Sequence, residues 1–425
     1  MFHVRSLLRL FDRPRPARSA QEPAVGLTAG SSAESQPTSG LLTVELAAKA
    51  AAPTTATLRV FVGAAATPAF EKPLSFGPQE LRTWVAIHGH LVANGPLAVR
   101  LELADAAGAV LAQTRLTLKV RNEGELAEIT RRSLTSRGVA LVVDELDARL
   151  YDYADDSLAA WYDRSPEAIE AHLKMLGDTG QASPEEVEAL RQFTRDGFMV
   201  VPGVVDEDLL SRLNAALDDA VAKKVEGYEW GVSQRLHNLH LQYPAIRELW
   251  LHAKVIRMLR LIFGAAGRPC QSLTYVFGSQ QEHHQDTIHL TSFPAGRMCG
   301  VWTALEDVQP DSGELVVFPG SHRLPRVYMK DAGIPKVGED WSQFGETVTP
   351  LWTRLLDNKF RREVYRPKAG TVLIWHENLM HAGSMRLDMS KSRRSIVGHY
   401  FAEGAVVYYD SSGMPGVLYE GELPA

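Results

Sequence analysis

HQDTIHLTSFP, at residues 284–294, carries the arrangement that decides how this chain is read. In an extended strand positions i and i+2 face the same side, so His284 and Asp286 converge on one point while Gln285 turns away. An imidazole and a carboxylate placed this way supply two legs of a two-histidine, one-carboxylate facial triad. That ligand set leaves coordination positions on iron(II) open for a co-substrate and dioxygen. A His-x-Asp triplet alone is a weak signal, because about one is expected by chance in a chain of this composition.

Working outward, the segments that follow are VWTALEDVQPDSGELVVFPGSHR at residues 301–323, KAGTVLIWHENLMHAGS at residues 368–384, and Arg393-Arg394-Ser395. Taken together with the first stretch, they resemble the phytanoyl-CoA dioxygenase family of iron(II) and 2-oxoglutarate-dependent oxygenases. The resemblance implies an α+β fold, a double-stranded β-helix (cupin-like jelly roll) flanked by helices. It also implies a ligand set: His284 and Asp286 match the first two metal ligands, and His381 in NLMHAGS matches the third. An arginine on the following strand would grip the far carboxylate of 2-oxoglutarate.

Two departures from the family pattern matter. The turn reads His-Ala-Gly-Ser where the family commonly has His-Gly-Ser, and the Asn that often follows is missing, which leaves Ser384 without an assigned role. The apparent insertion also makes the arginine ambiguous. Under period two Arg393 and Ser395 share a face, a fork plus a hydroxyl for one carboxylate, while Arg394 faces the other way. A β-bulge at the insertion would invert that assignment. Arg393 with Ser395 is the expected co-substrate pair.

His376, at the end of the apolar stretch 371–375, is the rival third ligand, with Arg386 ten residues on; its other reading is a buried histidine bonded to backbone. His283, His289 and His399 are expected near the pocket but off the metal. Trp302 and Thr303 either line the cavity or pack in the core, and Pro319-Gly320-Ser321-His322 reads as a corner turn.

The activity implied by the resemblance is that of a 2-oxoglutarate-dependent dioxygenase (hydroxylase). Iron(II), 2-oxoglutarate and O2 would hydroxylate a small organic metabolite or lipid-like substrate, releasing succinate and CO2. A carboxylate at position 286 favours hydroxylation over halogenation. The alternative is a non-redox cupin-type protein that only binds a metal or ligand. The family name points to a CoA thioester, yet no run of Lys or Arg near the motifs marks a nucleotide-phosphate pocket. Substrate identity, oxidised position and oligomeric state stay open.

The 425 residues leave room for two or three domains, and 45% hydrophobic residues suffice for a large core. With 45 Lys+Arg against 51 Asp+Glu, the net charge of −6 offers no footprint for nucleic acid. No apolar run is long enough to span a membrane. Two cysteines, Cys270 and Cys299, cannot build a disulfide framework, so a cytoplasmic location is expected.

Residues 1–39 read as a disordered basic arm and linker, rich in Arg, Pro, Ser and Gly. Residues 40–122 alternate apolar and polar side chains, as in Leu97, Val99, Leu101 and Leu103 against Ala98, Arg100 and Glu102. They predict a small β-sandwich-like domain, in which His88 and His90 are turn histidines. A glycan or protein partner for this domain is a further reading, drawn from architecture by analogy. Residues 123–182 read as a helical, acid-rich connector whose carboxylates (Asp144, Glu145, Asp147, Asp152, Asp155, Asp156) face solvent. Residues 183–425 read as the oxygenase domain, opened by the capping box Ser183-Pro184-Glu185-Glu186. Since every proposed site group lies from His284 onward, a chain starting near residue 123 is expected to keep the machinery.

Overall fold

The structure is a computed structural model and describes residues 25–424; the basic arm expected at the N-terminus lies outside the described residues. The N-terminal region is two antiparallel sheets built from β1 (Val25–Gly30), β2 (Leu41–Ala50), β3 (Thr54–Val62), β4 (Phe70–Phe76), β5 (Leu81–His88), β6 (Gly95–Ala104), β7 (Val110–Val120) and β8 (Val142–Val143). One sheet runs β1-β2-β5-β8 and the other β4-β3-β6-β7. Period two does the packing: Leu42, Val44 and Leu46 of one sheet meet Leu58, Val60, Leu101 and Leu118 of the other. Each such side chain contributes about 1.5–3 kcal/mol when buried.

Several expectations are corrected here. Residues 25–30, read as linker, form a strand paired in register with β2, from Val25 opposite Ala50 to Gly30 opposite Glu45. Val25, Leu27 and Ala29 rest on the sandwich core, and the ladder satisfies the backbone, which offsets an average composition that looked disordered. The connector is α-helical only at α1 (Gly124–Arg137) and α2 (Pro166–Asp178), with three short 3-10 turns between them. Between them β8 completes an N-terminal sheet, and Tyr151 stacks on Phe293 with ring centroids 4.9 Å apart. Leu134, Val143 and Tyr151 share one core with Leu41, Ala86, Val406 and Tyr408, so a cut at residue 123 would uncover that core. Among the acids, Asp147 is buried and paired with Lys336 at 2.7 Å. His88 and His90 are likewise buried, and His90 Nε2 lies 2.9 Å from the Gly404 carbonyl oxygen.

The C-terminal region begins at α3 (Pro184–Asp196), where the Ser183 hydroxyl accepts the Glu186 N–H and Glu186 returns the bond. Gly197 ends it in the left-handed region at φ +83°, and a Cβ there would strike the His322 ring. Next come β9 (Phe198–Val201), α4 (Glu207–Ala222) and β10 (Leu236–His237). Two helices follow, α5 (Pro244–Trp250) and α6 (Ala253–Phe263). The remaining strands are β11 (Gly267–Tyr275), β12 (Thr291–Phe293), β13 (Met298–Ala304), β14 (Leu315–Val317), β15 (Glu363–Tyr365), β16 (Val372–His376), β17 (His381–Gly383), β18 (Ser395–Ala402), β19 (Val406–Tyr409) and β20 (Met414–Pro415). They form a six-stranded sheet, β10-β11-β18-β13-β16-β9, and two three-stranded sheets, β15-β14-β17 and β12-β19-β20. Leu315 and Val317 pack across onto Trp302, Leu373, Trp375 and Val397, so the site lies between a large and a small sheet. Helix α7 (Ser342–Leu356) covers one end through Phe344, Val348 and Trp352. The whole is a mixed α and β fold.

Candidate metal centre

His284 does not sit in a long strand with Asp286, as the period-two reading assumed. It makes an isolated antiparallel bridge with His381: His284 N–H donates to the His381 carbonyl at 3.0 Å and His381 N–H donates back at 3.2 Å. The chain then tightens into a helical turn, Asp286–Ile288, and the Asp286 N–H is taken by the Glu377 carbonyl at 3.0 Å. The bridge sets the two imidazoles side by side with ring centroids 4.2 Å apart, and the turn brings the carboxylate beneath them.

His284, Asp286 and His381 are all buried and offer one ligand atom each within 4.8 Å of one another. Asp286 Oδ1 lies 3.7 Å from His284 Nε2 and 3.8 Å from His381 Nε2. Each Nδ1 lies against a backbone carbonyl, Glu282 at 2.8 Å and Leu379 at 3.0 Å. That contact fixes the proton on Nδ1 and turns the Nε2 lone pair inward, the arrangement a metal-ligating histidine needs. Burial, with His381 beside it, pushes the His284 imidazole down to about 3. Burial alone would raise the Asp286 carboxyl, but His381, His399, His284 and the Trp375 indole N–H together hold it down to about 2. At neutral pH both groups therefore carry the protonation states that bind a cation.

A row across the six-stranded sheet supports the carboxylate. Gln271, His399, Gly300 and Trp375 are register partners on β11, β18, β13 and β16. Trp375 donates its indole N–H to Asp286 Oδ2 at 2.8 Å, and His399 Nε2 stands 3.8 Å from the same oxygen. The indole lies over Gly300, where any Cβ would collide with the ring. Gly300→Ala should therefore displace Trp375 and weaken metal binding by about 10–100-fold, the usual cost of losing an outer hydrogen bond to a ligand; equilibrium dialysis with iron(II) measures it.

Arg393 lines the same pocket from the far side, with Trp302 and Tyr275 beneath its guanidinium at 5.6 and 5.5 Å. It is buried, and no carboxylate of the described residues lies within ion-pair distance of it. Burial lowers its pKa to about 10, and its Nε has no partner. The Ser395 hydroxyl and Trp302 indole N–H are buried without partners as well. A buried cation flanked by unpaired donors fits an anion with oxygen acceptors, such as a carboxylate of 2-oxoglutarate. Ser395 is buried beside this pocket, not on its lining. Arg394 faces outward to Asp218 at 2.7 Å.

The other candidates lie elsewhere. His376 is buried against Asp163 at 3.2 Å and accepts the Asn378 N–H. Arg386 lies over Phe277 at 3.8 Å, His283 meets Thr353, and His289 lines the pocket. Ser384 donates to Glu314 at 2.7 Å. Pro319–His322 is a turn with Gly320 at φ +83°.

Sequence reasoning missed the network behind Asp286. Glu377, whose carbonyl holds the Asp286 N–H, is buried and takes Ser292, Gly296 N–H and Arg326; Arg326 also pairs with Asp163 at 2.9 Å. Arg326→Met leaves the buried Glu377 without its cation and Asp163 with His376 alone, and should cost about 3–5 kcal/mol, read by chemical denaturation at pH 7. Burial would raise the Asp163 carboxyl, but His376 and Arg326 hold it well below the usual range. Its stabilisation is thus complete above about pH 4 and lost on acidification, and Arg326→Met should blunt that acid dependence.

Residues 193–394 match the family model described as Phytanoyl-CoA dioxygenase (PhyH). The match covers just under half of the chain, which over these residues is similar to that family. All five expected site residues except Ser395 fall within this match, and Ser395 is the next residue on. Among curated proteins, phytanoyl-CoA dioxygenase domain-containing protein 1 of Rattus norvegicus is 28% identical over 177 residues, 40% of this chain and 58% of that one. Its Mus musculus counterpart is 34% identical over 91 residues, 20% of this chain and 31% of that one. The chain thus spans less than two thirds of these relatives. Ectoine dioxygenase of Nocardia farcinica is 25% identical over 232 residues, 50% of this chain and 76% of that one. Among solved structures, the non-heme alpha ketoglutarate dependent carbocyclase SnoK from nogalamycin biosynthesis aligns with a TM-score of 0.45 at 21% identity, covering 57% of this chain and 95% of that one. The N-terminal sheets lie outside the PhyH match.

Proposed function

We propose that the protein is an iron(II)- and 2-oxoglutarate-dependent dioxygenase that hydroxylates a small organic or lipid-like substrate and releases succinate and CO2. One observation carries this reading: a buried two-histidine, one-carboxylate cluster with inward lone pairs shares its pocket with a buried arginine that no acid neutralises. His284, Asp286 and His381 would hold the metal. Arg393, with the Ser395 hydroxyl near it, would hold the far carboxylate of 2-oxoglutarate. When bound, the metal and co-substrate supply the oxidising chemistry. The chain's part is to orient both, keep Asp286 ionised through Trp375, and shield the reacting C–H from water. The large and small sheets would be the two walls of a double-stranded β-helix.

The ectoine dioxygenase relative and the PhyH match support this reading over a binding-only cupin. The free thiols Cys270 and Cys299 suit a reducing, cytoplasmic setting. No helix among the described residues is long and apolar enough to cross a membrane. A glycan or protein partner for the N-terminal sheets rests on architecture alone.

Anaerobic reconstitution with iron(II) and 2-oxoglutarate, followed by air and a metabolite screen, tests the proposal through succinate release. Succinate should require both metal and co-substrate and rise with the right substrate. Tight metal binding with no succinate from any substrate would instead favour the non-redox alternative.

A further inference from the structure

We infer that the N-terminal β-domain forms the far wall of the substrate site, and that the substrate is an elongated, mostly apolar molecule. Its oxidised end would lie at the His284–Asp286–His381 cluster and its tail between the β-domain and the C-terminal strands. This rests on the oxygenase reading for the reactive end, but the cavities themselves are independent of it.

The pocket around the cluster is small, about 60 Å³. Gln271 and His289 line both it and an adjoining chamber of about 360 Å³. Gln271 marks the passage, its side chain 3.0 Å from His399 Nδ1, while the other nitrogen of His399 faces Asp286. Ring faces form a large part of the chamber wall, from His240, Trp250, Tyr409 and Tyr419. Trp250 stacks on His240 at 3.7 Å and donates its N–H to the Gln271 carbonyl, and the Tyr409 hydroxyl pairs with Cys270. A wall whose surface is mostly carbon, from these ring faces and from Leu241, Val417 and Leu418, favours apolar surface on the ligand.

The chamber continues outward. Leu241, Met414, Val417 and Leu418 line both it and a further cleft of about 590 Å³. The opposite side of that cleft is the outer face of β2 and β5. Strand alternation sends Leu42, Val44 and Leu46 into the sandwich core and turns Thr43, Glu45 and Ala47 outward, with Trp84 paired across to Glu45. This is not a loosely docked interface. On the same sheet face Leu41 and Ala86 pack onto Phe293, Val406 and Tyr408, and His90 is bonded to the Gly404 carbonyl. The gap opens where the outward side chains are small, at Thr43 and Ala47. Docked domains that leave a cleft of this size, adjoining a chamber that in turn adjoins the metal pocket, have the layout of a channel.

Full-length protein loaded with iron(II) and 2-oxoglutarate under nitrogen tests this, with straight-chain alkanoates of increasing length as probes and binding read by calorimetry. In the unaltered chain each added methylene should tighten binding about fourfold until the channel is filled. Thr43→Trp fills the distal cleft, so the gain should stop at a shorter chain, with the longest probes losing at least about tenfold and the shortest unchanged. Trp84→Ala enlarges the same cleft and should shift the limit to longer chains. Affinity that does not rise with length, or one length profile shared by all three proteins, overturns the inference. The absorption band of the iron–2-oxoglutarate complex, recorded on the same samples, judges the oxygenase reading separately, because Thr43 and Trp84 touch neither ligand.

Discussion

His284→Ala and His381→Ala are expected to abolish iron(II) binding and 2-oxoglutarate turnover. Each removes one of only three donors, and their Nε2 atoms converge to within 3.8 Å of a single carboxylate oxygen. Loss of an outer partner to a metal ligand already costs about 10–100-fold, and loss of the ligand itself should exceed that. The fold should survive. Each imidazole makes one hydrogen bond, to a backbone carbonyl, so the stability cost is on the order of 1–3 kcal/mol. His376→Gln is the control: that side chain faces Asp163, not the cluster, and metal binding should persist. Iron titration followed by succinate measurement decides the matter; retained activity in His381→Ala with loss in His376→Gln would overturn the ligand assignment.

Arg393→Ala should weaken 2-oxoglutarate binding far more than Arg394→Ala. Removing the buried partner of a carboxylate costs about 2–5 kcal/mol, roughly 30-fold to several thousand-fold in affinity. Arg394 is tied to a largely exposed Asp218, an ion pair worth within about 1 kcal/mol, and its loss should leave the co-substrate affinity unchanged. A second signature separates anchoring from structure. Arg393 is a buried cation that no acid compensates, so Arg393→Ala should leave the thermal stability of the ligand-free protein equal or higher while co-substrate affinity collapses. Calorimetric titration and a melting curve on the same sample measure both. A larger affinity loss for Arg394→Ala would move the anchor to that residue.

Much of this was legible along the chain because strand periodicity is local. The alternation at Leu97–Leu103 located a sandwich strand, and the two-residue spacing of Arg393 and Ser395 turned Arg394 outward, since β18 carries no bulge beside them. What failed was reasoning from averages or from a single assumed conformation. Residues 25–30 were hidden by a Pro/Ser-rich neighbourhood. His284 and Asp286 converge through a bridge and a tight turn instead of one strand face. The acids of the connector looked solvated until Lys336, far along the chain, paired with Asp147.

The sequence by itself determined the candidate ligand types, the order of the motifs, that Arg393 and Arg394 face opposite ways and the presence of an N-terminal β-rich region, because those follow from side-chain chemistry and short-range backbone geometry. Only the tertiary structure decided which histidine meets His284, that Trp375 reaches Asp286 across a side-chain-free Gly300, and that Glu377, Arg326 and Asp163 brace the turn from behind. It also decided that the cleft lined by Thr43 and Trp84 shares Met414 and Val417 with the chamber lined by Tyr409. These depend on strand register and domain docking, where residues tens to hundreds of positions apart become neighbours through packing that no local pattern encodes.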